Sequence, residues 1–238
     1  MFNKLSVIIP ARNEENYLPS CLKAIESARL EAGIEVEVIV VLNRCTDNTE
    51  KIARDFGAIT LKDDSKNLSI IRNKGCQTAT SEILVTVDAD SLVSENMFKK
   101  IIKVMETGKY VGGGVFLKTE RLSLGILMTG VLLLPIVLYW RISAGLFFFS
   151  KQAYDAVGGF NEKKSSAEDI FFAIDLKKYA KTQKMKYANL FSASITTSCR
   201  KFDKFGDWFV FRRPMIFLKL LTGRYQDHAN EIWYDFER

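Results

Sequence analysis

The stretch that most constrains this chain is Ile83-Leu84-Val85-Thr86-Val87-Asp88-Ala89-Asp90. A β-branched, apolar run ends abruptly in two carboxylates separated by one residue. An uninterrupted apolar run bounded by polar residues is the pattern of a strand buried on both faces. Acids delivered at the C-terminal end of such a strand lie where open α/β sheets bind ligands. Two carboxylates this close repel each other, and a hard divalent cation bound through oxygen is the common remedy. Asp88 and Asp90 are therefore expected to hold a metal–diphosphate complex.

The residues before this strand alternate strand and helix. Leu5-Ser6-Val7-Ile8-Ile9-Pro10 reads as a first buried strand. A helix over 15–32 places Leu18, Cys21, Leu22, Ile25 and Ala28 on one face and closes at Gly33. Pro19 is tolerated near its first turn. A second strand over 36–42 leads to a helix capped by Thr46 or Asp47 and ending at Gly57. A short strand over 58–61 and a helix over 68–79 complete the series. Repeated strand–helix units imply a parallel sheet with right-handed crossovers. The loops 10–14, 43–47 and 88–90 then share one sheet edge and can surround one ligand.

Downstream, Ser94 caps a helix through Met105. The glycines of Tyr110-Val111-Gly112-Gly113-Gly114-Val115 mark either a bulge or close approach by a ligand or another backbone. A strand over 145–150, a helix over 151–157 and the turn Gly158-Gly159-Phe160 follow. Glu168-Asp169 opens a helix to about 181, where the helix dipole favours acids. Weak strands are expected at 186–189 and 194–197.

A chain of 238 residues suits one large domain or one domain with an appendage. Its formal charge of +6 is unevenly placed: residues 200–224 hold seven Lys/Arg against two Asp/Glu. This points to a local anionic partner. The cysteines Cys21, Cys45, Cys76 and Cys199 have no zinc-pair spacing, and the N-terminal residues do not read as a secretory signal. A reducing, cytoplasmic setting is expected, with the cysteines as small buried hydrophobes.

Taken together, Ser6-Val7-Ile8-Ile9-Pro10-Ala11-Arg12-Asn13-Glu14-Glu15, Thr46-Asp47-Asn48-Thr49, Arg72-Asn73-Lys74-Gly75, Asp88-Ala89-Asp90, Gly158-Gly159-Phe160 and Glu168-Asp169 resemble a family 2 glycosyltransferase. Each piece is weak alone, but the ordered set covers roughly residues 5–182 and is specific. The resemblance implies an α/β chain of the GT-A fold, a mostly parallel sheet flanked by helices, with a C-terminal amphipathic helical appendage. It also implies transfer of a sugar from a nucleotide diphosphate donor, UDP-linked by preference, with inversion at the anomeric carbon. Pro10, Ala11, Arg12, Glu14, Asn43, Arg72, Lys74, Asp88 and Ala89 would bind the nucleotide sugar. Asp90 and Asp88 would hold Mg²⁺ or Mn²⁺. Asp169, with Glu168 beside it, would take the acceptor proton, and Gly158, Gly159 and Phe160 would shape the acceptor side. Leu42, Asn43 and Arg44 depart from the family's common residues. Asn43 keeps donor and acceptor capacity. A solvated helix face is an equally good reading of Arg72 and Lys74.

The resemblance places the catalytic domain at 1–199, with a donor half at 1–117 and an acceptor half at 118–199. The basic, aromatic tail occupies 200–238. Residues 122–140 contain no charge and, as a helix, would extend about 28 Å. A single bilayer crossing there would separate Asp90 from Asp169, so a buried or interfacial helix is expected. Basic and aromatic residues interleaved over 200–224 suit a headgroup boundary or packing back on the domain. No compact nucleic-acid recognition motif accompanies them. The expected setting is peripheral, on the cytoplasmic face of the membrane, with a lipid-linked or other membrane acceptor. The alternatives are a sugar nucleotidyltransferase and a non-catalytic membrane-associated binding protein. Against the first, the loop after strand one has no glycine to cradle phosphate.

Overall fold

The computed structural model describes residues 2–143, 145–164 and 167–212. Among these, eight strands form one sheet in the order β3-β2-β1-β4-β7-β6-β8-β5. The first four are β1 (Lys4–Ala11), β2 (Glu35–Asn43), β3 (Ile59–Asp63) and β4 (Ile83–Thr86). They run parallel, with β1 between β2 and β4. The chain winds outward from β1 to β3, then returns to place β4 on the other side of β1. This reversal creates a crevice beyond the C-terminal ends of β1 and β4.

The second half departs from purely parallel pairing. β7 (Leu146–Ser150) runs antiparallel to both β4 and β6 (Tyr110–Thr119), and β8 (Lys186–Thr197) lies parallel to β6. The two weak strands expected at 186–189 and 194–197 are one continuous strand. The sequence reading also missed β5 (Ser91–Val93), three residues pairing antiparallel with the end of β8. That pairing brings residues 197–200 beside Asp90.

Helices α1 (Leu18–Ala32), α2 (Thr49–Asp55), α3 (Leu68–Thr78) and α4 (Met97–Met105) occupy the expected places. The N-caps of α2 and α4 are Asn48 and Asn96, with no side-chain cap bond, correcting Thr46 or Asp47 and Ser94 as the capping residues. Gly33 ends α1 with a left-handed backbone, and its N–H returns to Arg29 and Leu30. Apolar residues cover both sheet faces. One cluster joins α1 and α4 to Val7, Ile9, Val85 and Phe148. The other joins α3 to Ile8, Leu84, Phe149 and Phe172. Strand residues alternate between the clusters because successive side chains point to opposite faces.

The glycine run of β6 is explained by another backbone. A Cβ at Gly112 would lie 2.8 Å from Phe149 Cα, and one at Gly113 would lie 2.5 Å from the Ala188 carbonyl. Register shifts against β8 accompany this approach.

α5 (Leu124–Trp140) is not buried, correcting one of the two expectations for it. Gly125, Ile126 and Thr129 face the protein, whereas Leu127, Val131, Leu132, Leu134, Leu138 and Tyr139 are exposed. Among the described residues no helix is long and apolar enough to cross a membrane. α6 (Lys151–Val157) and α7 (Glu168–Thr182) precede β8. The described tail comprises α8 (Arg200–Phe205) and α9 (Phe209–Arg212), joined by Phe202, Phe205 and Phe209 ring contacts. Arg121 pairs with Asp203 at 2.5 Å and Asp207 at 2.8 Å, so this part of the tail packs against the start of α5. The rest of the basic, aromatic tail, including Arg213, Phe217, Lys219 and Arg224, lies outside the described residues.

Gly112→Ala should destabilise the protein by about 1–3 kcal/mol, because the new methyl group meets the backbone of β7 rather than a movable side chain. Urea denaturation followed by circular dichroism measures this loss. An unchanged midpoint would show that β6 and β7 can separate at no cost.

Candidate active site

The loops after β1 and β2 form one cross-linked rim. Asp47 accepts the Thr49 N–H and the Glu15 N–H, while Thr49 Oγ accepts the Glu14 N–H at 2.7 Å. Asn13 Oδ1 accepts the Thr46 N–H, and Glu15 accepts that of Asn48. Asn13 and Arg44 adopt left-handed backbone in these loops, as does Ala167 immediately before Glu168. Such conformations cost energy for residues with a Cβ and concentrate at functional sites.

Several expected donor-site residues have specific internal partners. Asn43 is buried and spends both amide hydrogens on the carbonyls of Asp63 and Ser65, each at 2.7 Å. Its remaining oxygen accepts from Arg44. In this arrangement Asn43 clamps the loop after β3 instead of presenting its amide to a base. Lys74 turns toward β3, bonding the Lys62 carbonyl and pairing with Asp63 at 3.4 Å. Ala11 and Ala89 are buried and can offer only backbone groups, while Pro10 and Arg12 are partly buried along the rim.

Arg72, on the same helix as Lys74, is not on a solvated face. Its side chain is 7% exposed and joins Asp88 at 2.9 Å to Glu168 at 2.5 Å. Its guanidinium also lies 5.7 Å from the Phe160 ring centre. Burial works against the Arg72 charge, but Asp88 and Glu168 outweigh it and raise its pKa. For Asp88, burial raises and Arg72 lowers the pKa; Arg72 prevails, so Asp88 stays ionised more readily than an ordinary Asp.

Glu168 and Asp169 are distinguished by their surroundings. Glu168 is buried against Arg72, whereas Asp169 is half-buried. Among the described residues, the Ile170 N–H is the hydrogen-bond donor to the Asp169 carboxylate. Burial raises the pKa of Asp169, with Arg72 opposing the shift. Asp169 is thus the more exposed carboxylate of the pair, and Glu168 is the one paired with Arg72.

The Gly158-Gly159-Phe160 segment makes the tight turn expected of it. Both glycines have positive φ, 81° and 74°, consistent with a tight turn. Phe160 is 1% exposed and stacks on Phe172 at 4.1 Å, so its ring belongs to the core behind Arg72 rather than to an acceptor surface. Asn73 fixes the turn by bonding both the N–H and the carbonyl of Phe160.

Arg200 is a residue beside two acids, Glu14 and Asp90, that the sequence analysis did not single out. It grips both oxygens of Glu14, at 2.8 and 3.0 Å, and reaches Asp90 Oδ2 at 2.9 Å. Glu14 is thereby an anchor for Arg200 in this structure. Ser198 also donates to Asp90 Oδ2 at 2.8 Å. No local pattern marks these contacts; they depend on the short β5–β8 pairing.

The donor set fits a hard divalent cation shared with phosphate. Asp88 and Asp90 supply carboxylate oxygens at one edge, and the Asp88 side chain is 54% exposed. Among the described residues no group of three or more His, Cys, Asp or Glu could hold an ion. Two carboxylates nevertheless match the manner in which Mg²⁺ is bound together with substrate phosphates.

Arg72→Met should destabilise the fold by about 3–5 kcal/mol at neutral pH by leaving buried Glu168 unpaired. Without Arg72, burial raises the folded Glu168 pKa further above its unfolded value. The folded protein then binds the extra proton, so stability is retained at low pH and lost as pH rises through the folded pKa. Urea midpoints of wild type and variant should diverge more at pH 8 than at pH 5; a pH-independent difference would exclude an ionised Glu168 as the cause.

The Glycosyl transferase family 2 model matches residues 6–161. A 4,4'-diaponeurosporenoate glycosyltransferase of Staphylococcus haemolyticus is 35% identical over 116 residues, covering 45% of this chain and 30% of that protein. A dolichol-phosphate mannosyltransferase of Pyrococcus furiosus is 28% identical over 151 residues, covering 56% and 42%. This chain therefore spans less than half the length of these curated relatives. Its fold is shared by a Pyrobaculum calidifontis mannosyltransferase solved with GDP-Man and Mn²⁺, at TM-score 0.68 and 17% identity, covering 95% of this chain and 64% of that one. It is shared also by S. aureus TarS 1-349 solved with UDP-GlcNAc, at TM-score 0.64 and 17% identity, covering 98% and 71%. With its ordered motifs carried on a GT-A sheet, this chain belongs to glycosyl transferase family 2.

Proposed function

We propose that this protein transfers a sugar, with inversion, from a UDP-linked donor to a lipid-linked acceptor hydroxyl at a membrane surface. The carrying observation is the Arg72 bridge, which places the Asp88–Asp90 edge beside the Glu168–Asp169 pair. The rim formed by the loops after β1 and β2 would receive the nucleoside. Asp88 and Asp90 would hold Mg²⁺ or Mn²⁺, which when bound supplies Lewis-acid stabilisation of the departing diphosphate. Asp169 would accept the acceptor proton as the hydroxyl attacks, and Arg72 would keep Glu168 and Asp88 in register.

Membrane association is supported by α5. Its exposed apolar side chains run toward Tyr139 and Trp140, followed by Arg141, while Arg121 precedes it. This combination suits the interface between headgroups and acyl chains. One relative is named for dolichol phosphate, in keeping with a lipid-linked acceptor.

Purified protein should release nucleoside diphosphate only with Mn²⁺ or Mg²⁺ and both substrates present. Asp90→Ala should abolish metal-dependent donor binding. Asp169→Asn should retain donor binding and lose roughly 10²–10⁴-fold in kcat, the range for general-base catalysis. The base acts when deprotonated, so kcat/KM should rise with pH through a pKa above the ordinary Asp range, following the raised Asp169 pKa. Wild-type turnover by Asp169→Asn would remove it as the base. Pyrophosphate release from a nucleoside triphosphate would support nucleotidyl transfer; nucleotide binding without turnover across broad donor and acceptor panels would support a binding protein.

Leu134 and Leu138 are exposed, so Leu134→Glu/Leu138→Glu should leave the core intact. The double variant should bind at least about tenfold more weakly to phosphatidylglycerol–phosphatidylcholine vesicles in cosedimentation, with UDP affinity unchanged. Equal sedimentation would remove α5 as the membrane element.

A further inference from the structure

We propose that Arg200 makes metal and nucleoside diphosphate bind as a coupled pair: it holds Asp90 until both arrive, then turns one N–H from Asp90 to a diphosphate oxygen. The inference rests on the donor reading above and names a residue which that reading leaves without a role.

Arg200 has two separable attachments. Its fork on Glu14 uses both guanidinium NH groups and both carboxylate oxygens. Glu14 is 2% exposed and its backbone N–H is fixed by Thr49, so this end is a firm anchor. Arg200 also lies over the Tyr17 ring, with Cζ 5.1 Å from the centroid. The second attachment is an ion pair from Nη2, which also bonds Glu14, to Asp90 Oδ2 at 2.9 Å, an oxygen already accepting the Ser198 hydroxyl. The guanidinium can therefore give up Asp90 while keeping Glu14. Its position is set by β5 and β8, which bind the segment before Arg200 to the residues just after Asp90.

A divalent cation drawn to Asp90 meets a positive charge already bound to that carboxylate. Arg200 should therefore weaken binding of the cation alone. A diphosphate changes the balance, since its oxygens accept from the displaced guanidinium N–H and also neutralise the added charge. The cation frees Arg200 for the diphosphate, and the diphosphate removes the penalty on the cation. Such coupling is reciprocal by thermodynamic necessity.

The test is isothermal titration calorimetry of the full chain with Mn²⁺ alone, UDP alone, and each in the presence of the other. In wild type, saturating UDP should tighten Mn²⁺ binding at least about tenfold, within the range of such couplings. In Arg200→Gln, Mn²⁺ alone should bind about threefold or more tightly than in wild type, and tightening by UDP should be at least about threefold smaller than in wild type, the remainder coming from the contact a bound cation would make with phosphate. A damaged fold does not gain metal affinity, so the expected increase separates this role from a structural one. Arg200→Lys retains a charge but loses the fork. It should keep weak binding of Mn²⁺ alone while losing most of the coupling, and it decides the matter if the Gln variant does not fold. Wild-type coupling in both folded variants, or in Arg200→Lys alone if Arg200→Gln is unfolded, would overturn the proposal. Absence of UDP binding by wild type with Mn²⁺ would overturn the donor reading and this inference together.

Discussion

The site depends first on a buried cation. Arg72 lies between Asp88, sixteen residues later, and Glu168, ninety-six residues later. Burying this guanidinium is unfavourable by itself, and two carboxylates are needed to hold it. The arrangement makes the ends of β4 and α7 mutually dependent. α3 carries Arg72 inward, while the adjacent Asn73 pins the Phe160 turn through Phe160 N–H and carbonyl bonds. Two consecutive side chains thus join the donor edge to the helix bearing Asp169. The Phe149, Phe160 and Phe172 rings pack behind this junction, giving a polar bridge an apolar backing.

Most of the scaffold was legible because its causes are local. The first four strands and α1–α4 follow from apolar runs, helical spacing and turn residues. The acids at Asp88 and Asp90 follow from the abrupt end of one such run. β5 was not legible because Ser91-Leu92-Val93 is too short to show a period; its strand character comes from the Thr196 and Ile195 backbones opposite. The division of labour between Arg72 and Lys74 was also hidden. Both are cations on one short helix, and the surrounding carboxylates decide their roles. Asn43 illustrates the same limit: its chemistry suits base recognition, but the carbonyls of Asp63 and Ser65 reach it first.

Six charged groups around the ends of β1 and β4 form two connected sets. Arg72 bridges Asp88 and Glu168; Arg200 bridges Glu14 and Asp90. Each metal-candidate acid thus has its own guanidinium on a different element, with a second, more buried carboxylate fixing that guanidinium from behind. The order of burial matters. A carboxylate shielded from solvent cannot easily release its counterion, whereas the outer acids can exchange theirs for another cation. Asp88 is the clearest case, being far more exposed than its Arg72 partner.

The position of α5 follows from the sheet as well as from its composition. β6 and β7 are neighbouring strands, so the segment between them must leave and return to the same sheet. The helix is held at both ends. Arg121 and Gly125 meet the tail around Asp207, while the Trp140 carbonyl accepts Lys177 and the Arg141 carbonyl accepts Asn189. A helix tethered in this way cannot carry one end across a bilayer while the other remains behind. Its exposed apolar surface instead lies along the protein, the orientation expected of a helix resting in an interface. The β4–β7 and β6–β7 pairings return the chain to one sheet on either side of α5, which excludes a single crossing on structural grounds.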